Sequence, residues 1–251
     1  MTNLIRVEFR RIFQLRLLPL LVLLACFFSY ALLDKFFQSA NQARPLLISG
    51  RLAVQTEFHL INTIYGPVIL AASFLGSDFT QRTLYQHLAN GHSRIQLVLA
   101  KSLIYSIVGS VLLLLTPFIT IATVTLVNGW GTTFNLMELQ YVLRVFSLAF
   151  LLNAASIRAF VFISFICQDV QKTLMCSTIF AVVYTNMSEV LGTISSQFQL
   201  LYTYLSSQQL QIIAQRHVSL PAILLALVIS IVTWGAFTAG SIYVFEKQDL
   251  T

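Results

Sequence analysis

The stretch from Ser102 to Val127 contains no charged side chain, and neither does the stretch from Ser219 to Phe245. Wound as an α-helix at about 1.5 Å per residue, either would cross the ~30 Å hydrocarbon core of a bilayer. A helix that is apolar on every side suits hydrocarbon or a deep core, not a water-facing surface. Four more apolar runs recur at 17–33, 60–76, 141–166 and 173–192, separated by polar connectors. The sequence therefore predicts an all-α polytopic membrane protein. It has six transmembrane helices, at 17–33, 60–76, 102–127, 141–166, 173–192 and 219–245, within a single transmembrane domain over 1–251. Composition argues the same way. Only 10% of residues are charged and 57% are hydrophobic, where a soluble domain carries about 25% charged residues.

The net charge of +6 would raise nucleic-acid binding in a soluble chain. No basic stripe interleaved with aromatics is present, so no nucleic-acid partner is expected, and membrane lipid takes its place. Six spans put both termini on one side. With that side cytoplasmic, Arg6, Arg10, Arg11, Arg16, Arg82, Arg94, Lys101, Lys172 and Lys247 lie inside, against Lys35, Arg44, Arg51 and Arg216 outside. This satisfies the positive-inside rule. The expected location is the cell membrane, multi-pass, with both termini cytoplasmic.

Residues 3–14 precede the first span. Ile5, Phe9, Ile12 and Phe13 recur at helical spacing with Arg6, Arg10 and Arg11 largely between them. Such a helix lies in the headgroup region; the alternative is a solvated basic tail. No small-residue cleavage site follows before Asp34, so the first run is expected to be retained. Cys26, Cys167 and Cys176 have no paired spacing and read as small packing residues. Gly66-Pro67 in the second run predicts a kinked span whose freed backbone groups are satisfied inside the bundle.

The connector Ser77–Lys101 is the most informative polar stretch. Asp78 can cap a helix with Gln81 three positions on, and Asn90-Gly91 supplies a left-handed stop. Ser93 opens the next helix with Gln96 as its partner. A short helix over 78–91 follows from this, with Leu84, Tyr85 and Leu88 as an apolar ridge. Such a ridge can lie in the groove of a soluble partner, or the segment can be a solvated tie between spans.

Asp78-Phe79-Thr80-Gln81-Arg82-Thr83-Leu84, then Asn90-Gly91-His92-Ser93-Arg94, then Lys101, resembles the first cytoplasmic loop of type-2 ABC exporter permeases. The family resembles the chain also in its amphipathic amino-terminal helix and six spans; where many members end this loop in a proline-containing turn, this chain has Asn90-Gly91-His92, in which it is similar to peptide-export and lantibiotic-immunity relatives. The resemblance implies a permease subunit whose short helix couples to a separate ABC ATPase subunit. It places Leu84, Tyr85 and Leu88 against that ATPase, with Asp78 in the same loop and Arg82 and Arg94 holding its elbow. A second permease chain, identical or related, would complete the pathway. The cargo would be an amphipathic peptide, an antimicrobial or a lipid-like molecule. No phosphate-binding Gly-x-x-x-x-Gly-Lys-Ser/Thr loop occurs in the chain. ATP hydrolysis is therefore expected on the partner, with ATP and Mg there, and this chain is not expected to be an enzyme or to carry a cofactor.

Polar residues inside the runs are the remaining candidates, because a charge at the bilayer centre costs about 2.5–3.5 kcal/mol on insertion scales. Arg144 and Arg158 stand near opposite ends of the fourth run, where both can snorkel; Arg158 can otherwise pair with Asp169 or Asp78. Tyr184, Asn186 and Glu189 of the fifth run, with Asn62 and Tyr65 of the second, are candidates to line a pathway or to form ordinary interhelical hydrogen bonds. His59, His87, His92 and His217 are scattered, and no intramembrane catalytic dyad appears. This weakens the alternative of an intramembrane enzyme. A non-transport membrane scaffold or sensor subunit is the other alternative.

Overall fold

The computed structural model describes residues 2–42, 49–58, 64–194 and 203–248. Among them helix is the only regular structure. The helices are α1 (Thr2–Phe13), α2 (Leu17–Gln42), α3 (Gly50–Glu57), α4 (Tyr65–Ala71), α5 (Ser77–Thr80), α6 (Thr83–Ala89), α7 (Arg94–Asn128), α8 (Leu136–Ser156), α9 (Arg158–Cys167), α10 (Val170–Ile194), α11 (Ser206–Ala214) and α12 (Leu220–Lys247). A π-helical turn, Ala72–Gly76, joins α4 to α5.

Among the described residues three helical stretches are long and apolar enough to cross a membrane: α7, the run Leu136–Cys167 formed by α8 and α9, and α12. The pair α1–α2, bent by 60°, makes a fourth if taken as one span. The expected second and fifth spans hold α4 and α10; the second begins at positions outside the described residues, and the side chains of the fifth are described only as far as Asn186.

Helix α7 is the post of the bundle, in contact with α1, α2, α3, α4, α8 and α12. Ser93 starts it, as the spacing predicts, with its side chain accepting the Gln96 N–H at 3.3 Å. Gly129, at φ +76°, ends it. Ser106 and Ser110 donate to carbonyls one turn back, at 2.7 and 2.6 Å, so their hydroxyls are satisfied inside the helix. Gly109 lets α7 approach the α8–α9 break: a Cβ there would lie 2.6 Å from Ile157 Cδ1.

Apolar packing gathers in two cores. One, near Lys101, includes Ile12, Phe74, Leu84, Tyr105, Phe160 and Phe245. The other, near Glu138, includes Val54, Trp130, Tyr141, Leu148 and Ile213. The connector before α12 is thus no open loop: α11 buries Leu210, Ile213 and Ala214 in the second core. Pro67 stands in the first turn of α4, where a helix has no acceptor for an N–H. Its carbonyl accepts the Tyr105 hydroxyl at 2.8 Å. The irregularity expected around Gly66-Pro67 falls one turn later, at the π turn.

Outside these cores the surface is apolar. The most apolar window of α12 is only 11% buried, against 56% for α7 and for α8–α9. Leu224, Val228, Ile231 and Val232 are accordingly exposed. In water this would be a large unprotected patch; against lipid tails it costs nothing. The fold is that of an all-helical chain built for a membrane.

Candidate functional site

The connector 77–94 differs from a single capped helix. Asp78 does not cap; it lies inside the one-turn helix α5 and is fully buried. The 78–91 stretch breaks at Gln81–Arg82, where Arg82 takes a left-handed φ of 56°. Helix α6 then runs to the stop at Gly91, φ +85°. The break frees Thr83 to donate its hydroxyl to Asp78 Oδ1 at 2.8 Å.

Asp78 is the centre of a buried charge cluster. The Lys101 ammonium, 1% exposed, donates to Asp78 Oδ2 and to Glu8 Oε1, the latter at 2.7 Å. The Arg11 guanidinium pairs with Asp78 Oδ1. Glu8 is fully buried, and His87 Nε2 stands 3.8 Å from it. Two carboxylates meet two permanent cations, so the cluster is electrically balanced with His87 neutral. Burial indeed lowers the proton affinity of His87, against the pull of Glu8. The cluster joins α1, α5, α6 and α7. A buried ion pair is weak evidence of net stability, but losing one partner is costly.

The ridge of α6 faces this junction. Leu84 is 1% exposed and belongs to the first core. Leu88 packs with Leu4, Leu97 and Ala100, and Tyr85 is half-buried. The cover of this ridge comes from its own chain: α1 folds back along α7 and supplies the second wall. Exposed on the connector are Thr80, Gln81, Arg82, Gln86, Ala89, Asn90, Gly91 and Ser93. Arg82 stands at the elbow itself. Arg94 reaches the other way, donating from Nη1 to the carbonyls of Phe245, Glu246 and Gln248 at 2.8, 2.8 and 3.0 Å. It thereby satisfies the open carbonyls at the end of α12.

The pathway candidates are not gathered on one described wall. Tyr184 is drawn to α11, its hydroxyl accepting the Ser207 N–H at 3.2 Å. Asn186 donates to Val182 O of its own helix at 2.7 Å, and Tyr65 is exposed. Asn62 and the Glu189 side chain lie outside the described residues. Arg144 reaches the carbonyl of Gln215 at 2.7 Å near the opposite end of the bundle. There Glu138 holds Arg216 at 2.8 Å and accepts the Trp130 indole N–H at 3.2 Å.

Arg158 neither snorkels nor pairs with Asp169 or Asp78. It is 3% exposed, donates to Ser102 and Thr238 hydroxyls at 3.3 and 2.6 Å, and lies over the Trp234 ring at 4.1 Å. The sequence did not single out Glu8 or Trp234, and took Arg11 only as part of a basic face. A lone acid among the arginines of α1 was the available signal for Glu8. No group of three His, Cys, Asp or Glu able to hold a metal occurs among the described residues.

Comparison with protein-family models and with curated proteins finds no match. The class stands on fold and surface alone: an all-helical chain with helices fit to cross a membrane.

Proposed function

We propose that this chain is the membrane-spanning permease subunit of an ATP-binding-cassette exporter. It has six spans and both termini in the cytoplasm, α1 lies along the inner headgroup region, and a second permease chain completes the pathway. A separate ATPase, carrying ATP and Mg, docks from the cytoplasm on the connector 77–94. The cargo is an amphipathic peptide, an antimicrobial or a lipid-like molecule.

One observation supports the reading above others. A short helix at the end of the bundle is tied by buried charges to α1 and α7, so a push on α6 cannot be absorbed by a slack loop. It must move α7, the post on which most other helices rest. Coupling of this kind needs an element with two discrete arrangements that the motor can bias. With Leu84 buried, the surface offered to the ATPase is the outer face of the connector, Arg82, Gln86 and Asn90 with part of Tyr85, while Leu84 and Leu88 hold α6 in place.

The test is affinity purification of the full chain from its native membrane, with copurifying ATPases identified by mass spectrometry. Retention of an ATP-binding-cassette ATPase, lost in R82E/Q86E while the variant still elutes as a folded species, supports the reading. Absence of any such ATPase refutes it. So does labelling of a cysteine placed at Gln86 by an impermeant reagent from outside intact cells.

A further inference from the structure

A cavity of about 540 Å³ opens between α7, α8 and α12, walled by Leu103, Ile107, Leu151, Leu227 and Ile231, with Arg158 and Trp234 at one end. Its size falls within the ~300–1,000 Å³ usual for ligand sites. The walls are apolar, and one buried cation stands among them. Both hydrogen bonds of Arg158 leave from Nη1. Nε is buried with no acceptor, and among the described residues no carboxylate pairs with the guanidinium. The acceptors it has are hydroxyls whose own protons are engaged: Ser102 donates to Leu99 O and Thr238 to Trp234 O. No acid on the facing helices can neutralise it. α7 has none, Glu138 of α8 is held by Arg216, and Glu246 lies two turns beyond Thr238 on α12. A buried guanidinium with unused donors and no counter-ion calls for an anion, best a planar or tetrahedral oxyanion.

We infer that this cavity binds an anionic membrane phospholipid, the headgroup phosphate against the Arg158 guanidinium and an acyl chain along the apolar walls. Three observations select a lipid over a water-soluble anion. The walls are almost wholly apolar. The cavity adjoins the uncovered face of α12, so entry is from hydrocarbon. Ser102, Arg158 and Thr238 each lie eight or nine residues from the helix ends at the Lys101 side, roughly 12–14 Å by helical rise. The cation is thus in one leaflet, not at the midplane. The inference stands apart from the transport reading, since a resident lipid requires no ATPase.

The chain has two tryptophans, Trp130 and Trp234, so W130F leaves Trp234 as the only emitter. Purified in neutral detergent micelles, this full-length variant is titrated with dibrominated phosphatidylglycerol or dibrominated phosphatidylcholine. Half-maximal quenching of Trp234 is expected at about fivefold lower mole fraction for the anionic lipid, the effect of one basic side chain on an anionic lipid. R158Q should abolish that preference, and R158K should keep part of it. A154F, which fills the wall and leaves the guanidinium in place, should weaken quenching by both lipids. If R158Q does not elute as a folded species, R158K and A154F carry the test. Equal quenching by the two lipids overturns the inference, as does a preference that survives R158Q. Relief of quenching by millimolar inorganic phosphate would assign the cation to a free anion, and a second copy that shields Trp234 from both lipids would make the cavity an interface; either result overturns it too.

Discussion

Replacing Lys101 by Met removes the cation that two buried carboxylates share. Asp78 is not left alone, because it keeps Arg11 and the Thr83 hydroxyl at 2.8 Å. Glu8 is. Its Oε2 has no partner among the described residues, where its one other basic neighbour is His87 at 3.8 Å, which burial disposes to stay neutral. Breaking one side of a buried pair costs about 3–5 kcal/mol. Glu8 can escape part of that cost by taking up a proton, which sets a ceiling. At pH 7, protonating a carboxyl of ordinary pKa near 4.3 costs about 3.7 kcal/mol, and at pH 5 about 1 kcal/mol. The sign follows: in K101M the folded chain binds a proton that the unfolded chain does not, so its stability falls as pH rises. The expected loss relative to the parent is about 3–4 kcal/mol at pH 7 and about 1–2 at pH 5, or roughly 2–4 °C of midpoint per kcal/mol for a chain this size. Thermal unfolding of detergent-purified protein at both pH values reads it. E8Q in the K101M background should remove most of the pH dependence and recover part of the midpoint. A K101M midpoint within a degree or two of the parent at pH 7, or a double variant no better than the single, would refute the argument that these groups form one buried network.

Glu57 gives a pH effect of the same sign at the other core. It is 3% exposed, and burial pushes its carboxyl up to about 7, with Thr120 pulling partly back. The folded state therefore favours the protonated form, and up to about 3 kcal/mol of stability is lost between pH 4.5 and pH 7. E57Q should flatten the unfolding midpoint across that range, which scans at pH 5 and pH 8 will show. R94Q removes the charged donor on three carbonyls at the end of α12, worth about 1–2 kcal/mol for a partly exposed site. Amide exchange should quicken at 245–248 and stay unchanged in the middle of α12.

The long apolar helices were legible because the signal is local: an uncharged run long enough to span needs no knowledge of its neighbours. The Ser93–Gln96 start of α7 and the left-handed stop at Gly91 were legible for the same reason, since each is settled within four residues. Asp78 was misplaced by the same logic. Asp78 followed by Gln81 looks like a capping box, but the carboxylate has Lys101 and Arg11 within reach. A charge-assisted contact to a buried ammonium outweighs the ~1 kcal/mol of a cap. Those partners lie 23 and 67 positions away in the chain, and periodicity carries no record of such pairings. What covers Leu84 and Leu88 was illegible for a related reason. A ridge of two leucines says that something apolar covers it, not whether the cover is a partner or the protein's own amino-terminal helix.

Arg158 shows what a buried cation demands of its surroundings. Near a helix end, snorkelling is the cheapest course for an arginine, and the sequence offers no sign that Ser102 and Thr238, on two other helices, present hydroxyls at the same level. Those hydroxyls orient the guanidinium without neutralising it, and Trp234 covers one face of its plane. Desolvation repaid by two hydroxyls and one ring face, with no opposite charge, is expensive, and the inferred lipid phosphate returns the balance. The apolar groove beside the guanidinium gives that phosphate a route from the lipid. The lone arginine and the bare face of α12 are then two halves of one feature, and a substitution that fills the groove should disturb the arginine's surroundings as surely as one that removes its charge.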